Sequence, residues 1–328
     1  MIIIVSQNIE KSTDKIIEWL GLYNFEVIRI NQEMSFHGFS LCYLPLLTIN
    51  LFDANRKIKF SDIRAFLYRR GEFSMKIPFS LDIDNAKFIQ YVLGREWAII
   101  KDFLHKIEKP IIIGSFEKEI NNNKIFDILL AQLVGLNTPA SLVTSLKDEL
   151  ISFIGCYEQV ISKPLKNSFN YKTETIQYNF RGTHLLKKYN VDILSDSFFP
   201  AFFQEYIEKE FEIRSFYLKG KFYSMAIFSQ NDVQTKIDYR NYNREKPNRN
   251  LPFQLPDEIE EKLEAFMQKS GLDTGSIDII KAIDGRYVFL EVNPVGQFDW
   301  LSGNCNYYLE EKIAYYLTHG EHIPTNYG

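Results

Sequence analysis

Apolar residues open the chain as a short β-branched run, Ile2 to Val5. They then switch to helical spacing at Ile16, Ile17 and Leu20 behind Ser12 and Thr13, with Gly21 as the expected stop. A second strand pattern follows at Phe25 to Ile30, and this β-α-β order predicts a small α/β domain on a parallel sheet. Asp53-Ala54-Asn55 marks a hairpin, and Ala65 to Tyr68 a strand running into Arg69-Arg70-Gly71. Residues 85–107 carry a long helical pattern, and Ile111 to Ile113 a further strand between Pro110 and Gly114. The first domain is placed at residues 1–118.

Asn121, Asn122 and Asn123 form an N-cap cluster for a helix from Lys124 to Val134, stopped by Gly135. Strand patterns at Ala140 to Thr144 and Glu158 to Lys163 enclose a helix near 146–155, and residues 164–198 read as an irregular loop holding one hairpin. Residues 119–200 make a second domain. From Phe202 the pattern turns strand-rich: FFQEYI, FEIRSFYL, a turn at Lys219-Gly220-Lys221, and FYSMAIFS predict an antiparallel hairpin. After a polar segment at 231–256, a helix from Asp257 to Ser270 carries Ile259, Leu263, Phe266 and Met267 on one face, with Gly271 as its stop. Strands at Ser276 to Ile280 and Tyr287 to Val292 flank a turn at Asp284-Gly285. A helix from Tyr307 to Leu317 closes the third domain, 201–328.

Composition narrows the classes of function. The 328 residues are 45% hydrophobic, enough for ordinary cores, and the net charge of −4 comes without a basic run that could track a phosphate backbone, so nucleic acid is not an expected partner. No stretch approaches the length of a membrane span, and the start lacks the marks of a signal peptide. Cys42, Cys156 and Cys305 are far apart and show no metal-ligand spacing, which fits a reducing cytoplasm. A two-fold homodimer is the default assembly for such a chain.

The chemistry concentrates in the last two strands. Asp278 sits in GSIDII, and Glu291 and Asn293, two apart and so on one face, end the strand FLEVNP. If the strands pair through Asp284-Gly285, three oxygen-bearing side chains converge, the supply that Mg²⁺ needs when phosphates complete its shell. The apolar flanks imply burial, and a buried carboxylate without a cation or donor costs several kcal/mol.

An acid in one strand followed by E-x-N at the end of the next resembles the closing motif of the ATP-grasp ligases, over roughly residues 121–317. The resemblance implies the ATP-grasp fold, two α+β subdomains gripping ATP, behind a parallel-sheet α/β domain. It implies that Lys124, ahead of the GLNTPASLVT segment, and Lys163, in VISKP, meet the nucleotide. Gln204, Glu205, Tyr206 and Ile207 then stand at the hinge that binds adenine, Asp278, Glu291 and Asn293 hold Mg²⁺, and Arg214 and Arg240 stabilise phosphoryl oxygens and an oxyanion. The region between Lys163 and Phe202 departs from the family in having Gly182 alone where a glycine-rich loop is usual; Lys166, Ser168 or Arg181 would substitute.

Within that class FLEVNPVGQFDW, SQNDVQTKIDYR and FLYRRGEF resemble segments of the graspetide synthetases, and GEF leans toward the grasp-with-spasm subgroup beside the microviridin ligases. These enzymes activate Asp or Glu side chains of a ribosomal precursor peptide as acyl phosphates and join them to Ser, Thr or Lys. ATP, Mg²⁺ and a precursor peptide with leader and core are therefore the expected cofactors and partner. Two other functions compete: a ligase adding amino acids to a peptide or protein terminus, against which GQFDW and YRR count, and a non-catalytic peptide-binding module, against which the intact lysines and acids count.

Overall fold

The computed structural model describes every residue except 32–33, 54–55, 77–82, 167–168, 174, 181, 188–190 and 325–328. The chain divides into two compact units, Met1–Asn121 together with Gln297–Gly328, and Asn122–Gly296.

In the first unit Val27–Asn31, Ile2–Ser6, Ala65–Arg69 and Ile111–Ile113 form a parallel sheet in that order. All five residues of the strand Ile2–Ser6 are buried, as a parallel strand covered on both faces requires. The helix Lys11–Leu22 runs past Gly21 and yields only near Asn24, which takes a left-handed φ of 59°. The C-terminal stretch contains two helices, Asp299–Cys305 and Leu309–His319, where one was expected, because Asn306 and Tyr308 adopt left-handed φ of 53° and 52° between them. The second of these buries Leu309, Ile313, Ala314 and Leu317 and packs against Lys11–Leu22, so residues 297–328 complete the N-terminal unit. The hairpin expected at Asp53 joins Thr48–Phe52 to Lys57–Lys59; its residues 54–55 lie outside those described.

Arg69 and Arg70 belong to this unit. Arg69 is buried, its Nη2 donates to Glu10 Oε1 at 2.7 Å, and its guanidinium lies 4.9 Å from the Phe298 ring centroid. The YRR and GQFDW segments thus meet through a cation on an aromatic face. Arg70 donates from Nε to Glu119 at 3.0 Å.

The second unit carries two antiparallel sheets. One orders Ser141–Leu146, Ser197–Glu205, Val160–Ser162 and His184–Leu185, and the other Arg249–Phe253, Lys221–Phe228, Lys209–Leu218, Thr274–Ala282 and Tyr287–Asn293. The helix Lys124–Leu133 starts at Asn123, whose side chain accepts from the N–H groups of Ile125 and Phe126, and Asp257–Ser270 ends on Gly271 with a left-handed φ of 67°. Both helices contribute to one core with Ile213, Ile277, Phe289 and Val292 on a single face of the five-stranded sheet. The loop 164–198 holds the expected hairpin, Phe169–Lys172 with Gln177–Phe180. Among the described residues no helix is long and apolar enough to cross a membrane.

Candidate active site

The opposite face of the five-stranded sheet carries the charged residues. Asp278 pairs across the strands with both Arg214 and Glu291, and Ser276 with Asn293, so Arg214, Asp278, Glu291 and Asn293 share the face turned away from the helices. A register shift between Asp278 and Ile279 leaves Leu290 as the extra residue of the facing strand. That bulge sends Phe289 to the helix core and Glu291 to the other face, although residues two apart in a regular strand share one side.

Asp278 and Glu291 are each 4% exposed, and each is held by cations. Arg214 donates from Nη1 to both Asp278 oxygens at 2.8 Å. Lys124 Nζ lies 3.0 Å from Glu291 Oε2 and donates to the Pro164 carbonyl at 3.3 Å. Arg240 Nη2 lies 3.2 Å from Glu291 Oε1 and 4.0 Å from Asp278 Oδ2. Burial alone would raise the Glu291 carboxyl, but Arg240, Lys124 and Lys163 together outweigh it and hold it well below the ordinary carboxylate range. Lys163 is itself depressed to about 8, chiefly by burial. The structure therefore gathers Lys124, Lys163, Arg214, Arg240, Asp278 and Glu291 around one point, with Asn293 lining the same pocket.

The hinge residues end the neighbouring sheet. Gln204 is fully buried and donates to Ser141 Oγ at 2.8 Å. The Glu205 and Tyr206 N–H groups donate to the carbonyls of Ala140 and Gln159, while the Tyr206 carbonyl and the Ile207 N–H have no backbone partner among the described residues. Ile207 packs with Ile280, Ala282 and Val288, and Leu290, the bulge residue, joins this cluster. An apolar floor thus lies beside a free donor and a free acceptor, at one end of a face whose other end is charged.

Asp238 and Tyr239 lie in the SQNDVQTKIDYR segment that the sequence reasoning singled out, but it gave a role to Arg240 alone. Asp238 is 4% exposed, accepts from the Arg240 backbone at 3.0 Å and approaches its Nε at 3.3 Å; the Tyr239 hydroxyl lies 3.5 Å from Asp278 Oδ1. The spacing of Asp238 and Arg240, two apart beside an aromatic residue, was the available signal. Of the substitutes for a glycine-rich loop, Lys166 lines the pocket together with Gly182, while Ser168 and Arg181 lie outside the described residues. Among the described residues no three His, Cys, Asp or Glu side chains group as a metal cage.

No family profile and no curated protein sequence matches the chain. Among solved structures, a RiPP-associated ATP-grasp ligase of Chryseobacterium gregarium, in complex with ADP and a leader and core peptide, superposes with a TM-score of 0.85. The two are 25% identical, over 98% of this chain and 97% of that one. The macrocyclase MdnC of Microcystis aeruginosa, bound with precursor peptide MdnA, gives 0.80 at 25% identity over 98% and 99% of the two chains. MdnB of the same organism, at 19% identity and a TM-score of 0.72, shares the fold over 97% and 99%. Fold and site together define the class: the chain is an ATP-grasp ligase. Within that class its likeness over nearly its whole length is to the graspetide synthetases.

Proposed function

We propose that this enzyme uses ATP to activate Asp or Glu side chains of a ribosomally made precursor peptide and joins them to Ser, Thr or Lys side chains of the same peptide. The observation that carries the proposal is the buried pair Asp278 and Glu291 ringed by Lys124, Lys163, Arg214 and Arg240. With Asp238 counted against Arg240, these four cations face three carboxylates, and Lys166 lines the same pocket, so a positive surplus remains that a bound polyphosphate neutralises. The likeness to ligases crystallised with ADP and with leader, core or precursor peptides supports the same substrates here.

Two carboxylates and an amide are too few to cage a metal, and they suit Mg²⁺, which takes one or two carboxylates and lets phosphates and waters fill the rest. Asp278, Glu291 and Asn293 would hold it. Bound there, Mg²⁺ shields the charge of the phosphates. Lys124 and Lys163 meet the phosphate oxygens, and Lys124 leaves Glu291 to do so. The Tyr206 carbonyl and Ile207 N–H pair with the adenine edge, flanked by Gln204 and Glu205. Arg214 fixes Asp278, and Arg240, half exposed at the mouth, faces the transferring phosphoryl group and the later oxyanion.

No protein nucleophile is required. An oxygen of the substrate carboxylate attacks the γ-phosphorus and ADP leaves; a peptide hydroxyl or amine then attacks the acyl carbon and phosphate leaves. The peptide loses one water per link. A cytoplasmic site of action accords with three free cysteines.

The test is incubation with ATP, Mg²⁺ and a short peptide, rich in Asp or Glu and in Ser or Thr, encoded beside the enzyme. Mass spectrometry should show one water lost per link together with ADP formation. An unchanged peptide mass with nucleotide binding intact would sink the proposal, and a gain in mass would favour a ligase that adds amino acids.

A further inference from the structure

The helix Lys124–Leu133 carries a second charged residue that the proposed chemistry leaves without a task. Asp127 follows Lys124 by three positions, the spacing that stacks two side chains on one helix face, and it is 8% exposed. The start of this helix is pinned beside Glu291, because Asn122 Nδ2 donates to the Val292 carbonyl at 3.2 Å. Asp127 Oδ2 is buried with no hydrogen-bond partner among the described residues. Burial first, and Glu291 second, push its carboxyl up to about 7 against the pull of Lys124.

A buried carboxyl oxygen without a partner weakens the free protein, and an apolar residue at the same place on the helix would not. Such a group points to a state in which the oxygen is used. Lys124 supplies the partner. Its ammonium has three N–H directions, and in the free protein it spends two of them on Glu291 and the Pro164 carbonyl.

On the function proposed above, Glu291 would help hold Mg²⁺ when nucleotide binds, and Lys124 would give up its first bond. We infer that Asp127 is a positioning residue for Lys124, which accepts the N–H that Glu291 relinquishes and aims the ammonium at the nucleotide phosphates. Held between Asp127 and the Pro164 carbonyl, two of the three N–H directions are set and the third meets phosphate.

The full chain can be tested without any peptide. Calorimetric titration with the non-hydrolysable analogue AMPPNP and Mg²⁺ would compare wild type, Asp127→Asn, Lys124→Met and the double variant, each also melted thermally. Asp127→Asn should melt no lower than wild type yet bind the analogue about tenfold more weakly, and the second substitution should add nothing in the Lys124→Met background. Unchanged affinity in Asp127→Asn, an equal loss in both backgrounds, or a clear fall in melting temperature overturns the inference. Failure of wild type to bind the analogue strikes instead at the proposed function.

Discussion

A Cβ at Gly296 would lie 2.3 Å from the Ser276 Cβ, 2.4 Å from its Oγ and 2.9 Å from Arg214 Nη2. The glycine of GQFDW is therefore a matter of room: the chain crosses directly over the residues that hold Asp278. Gly296→Ala should displace Arg214, destabilise the protein by about 2 kcal/mol and cut turnover by about a hundredfold, read by urea denaturation and by the rate of ADP formation. Wild-type values in both would contradict that account. At this scale much of the site was legible, because acids flanked by apolar residues, as Asp278 and Glu291 are, must be buried and compensated. Asp127 was not legible, because burial and Glu291, far away in sequence, make its environment while its neighbours in the helix read as an ordinary amphipathic surface. Asp238, by contrast, has its partner Arg240 only two residues on.

Among the elements, the strand Tyr287–Asn293 does most to shape the site. Its alternation marks Glu291 and Asn293 as sharing a face, but period two would also put Phe289 with them, and only the bulge at Leu290 separates apolar core from charged site. No residue type announces a bulge, so this feature was hidden. So was the strand Arg249–Phe253, read as part of a polar segment: it lies at the sheet edge, the place in a sheet where a proline such as Pro252 is tolerated. The helices Lys124–Leu133, capped at its start by Asn123, and Asp257–Ser270, stopped by Gly271, were by contrast legible almost to the residue. Leu290 tests the role of the bulge. Because it is only partly buried, Leu290→Ala should leave the melting temperature nearly unchanged while weakening AMPPNP binding about fivefold, in keeping with apolar area lost beside the hinge. Equal binding by the variant and wild type would remove Leu290 from the nucleotide floor.

For the molecule as a whole, His105 in the first unit is one source of stability lost in acid. Its ring stacks on Phe116 at 4.3 Å and meets Phe73 at 5.0 Å, and neither ring nitrogen has a hydrogen-bond partner among the described residues. Burial, aided by Lys109 and Lys101, depresses its pKa from 6.5 to about 3. The unfolded chain takes up a proton near 6.5 that the fold refuses, so the stability present above that pH is lost as pH falls toward 3. His105→Phe should match wild type at pH 8 and outlast it at pH 5, measured by urea midpoints; parallel pH profiles for the two would refute this. The parallel sheet around this residue was legible from its β-branched runs. That residues 297–328 complete the same unit was not, since nothing local to the helix Leu309–His319 says which surface its apolar face will meet.

The discontinuity of that unit bears on how the chain is born. A ribosome delivers residues 1–121 first, yet the helix that covers Lys11–Leu22 emerges only after the whole intervening unit has been made. The nascent first unit must therefore wait half-finished, its helix face bare, while Asn122–Gly296 has all its own strands to hand and can close ahead of it. Assembly order thus runs against the order of synthesis: the segment bearing the charged site has all of its strands before the first unit has its last helix.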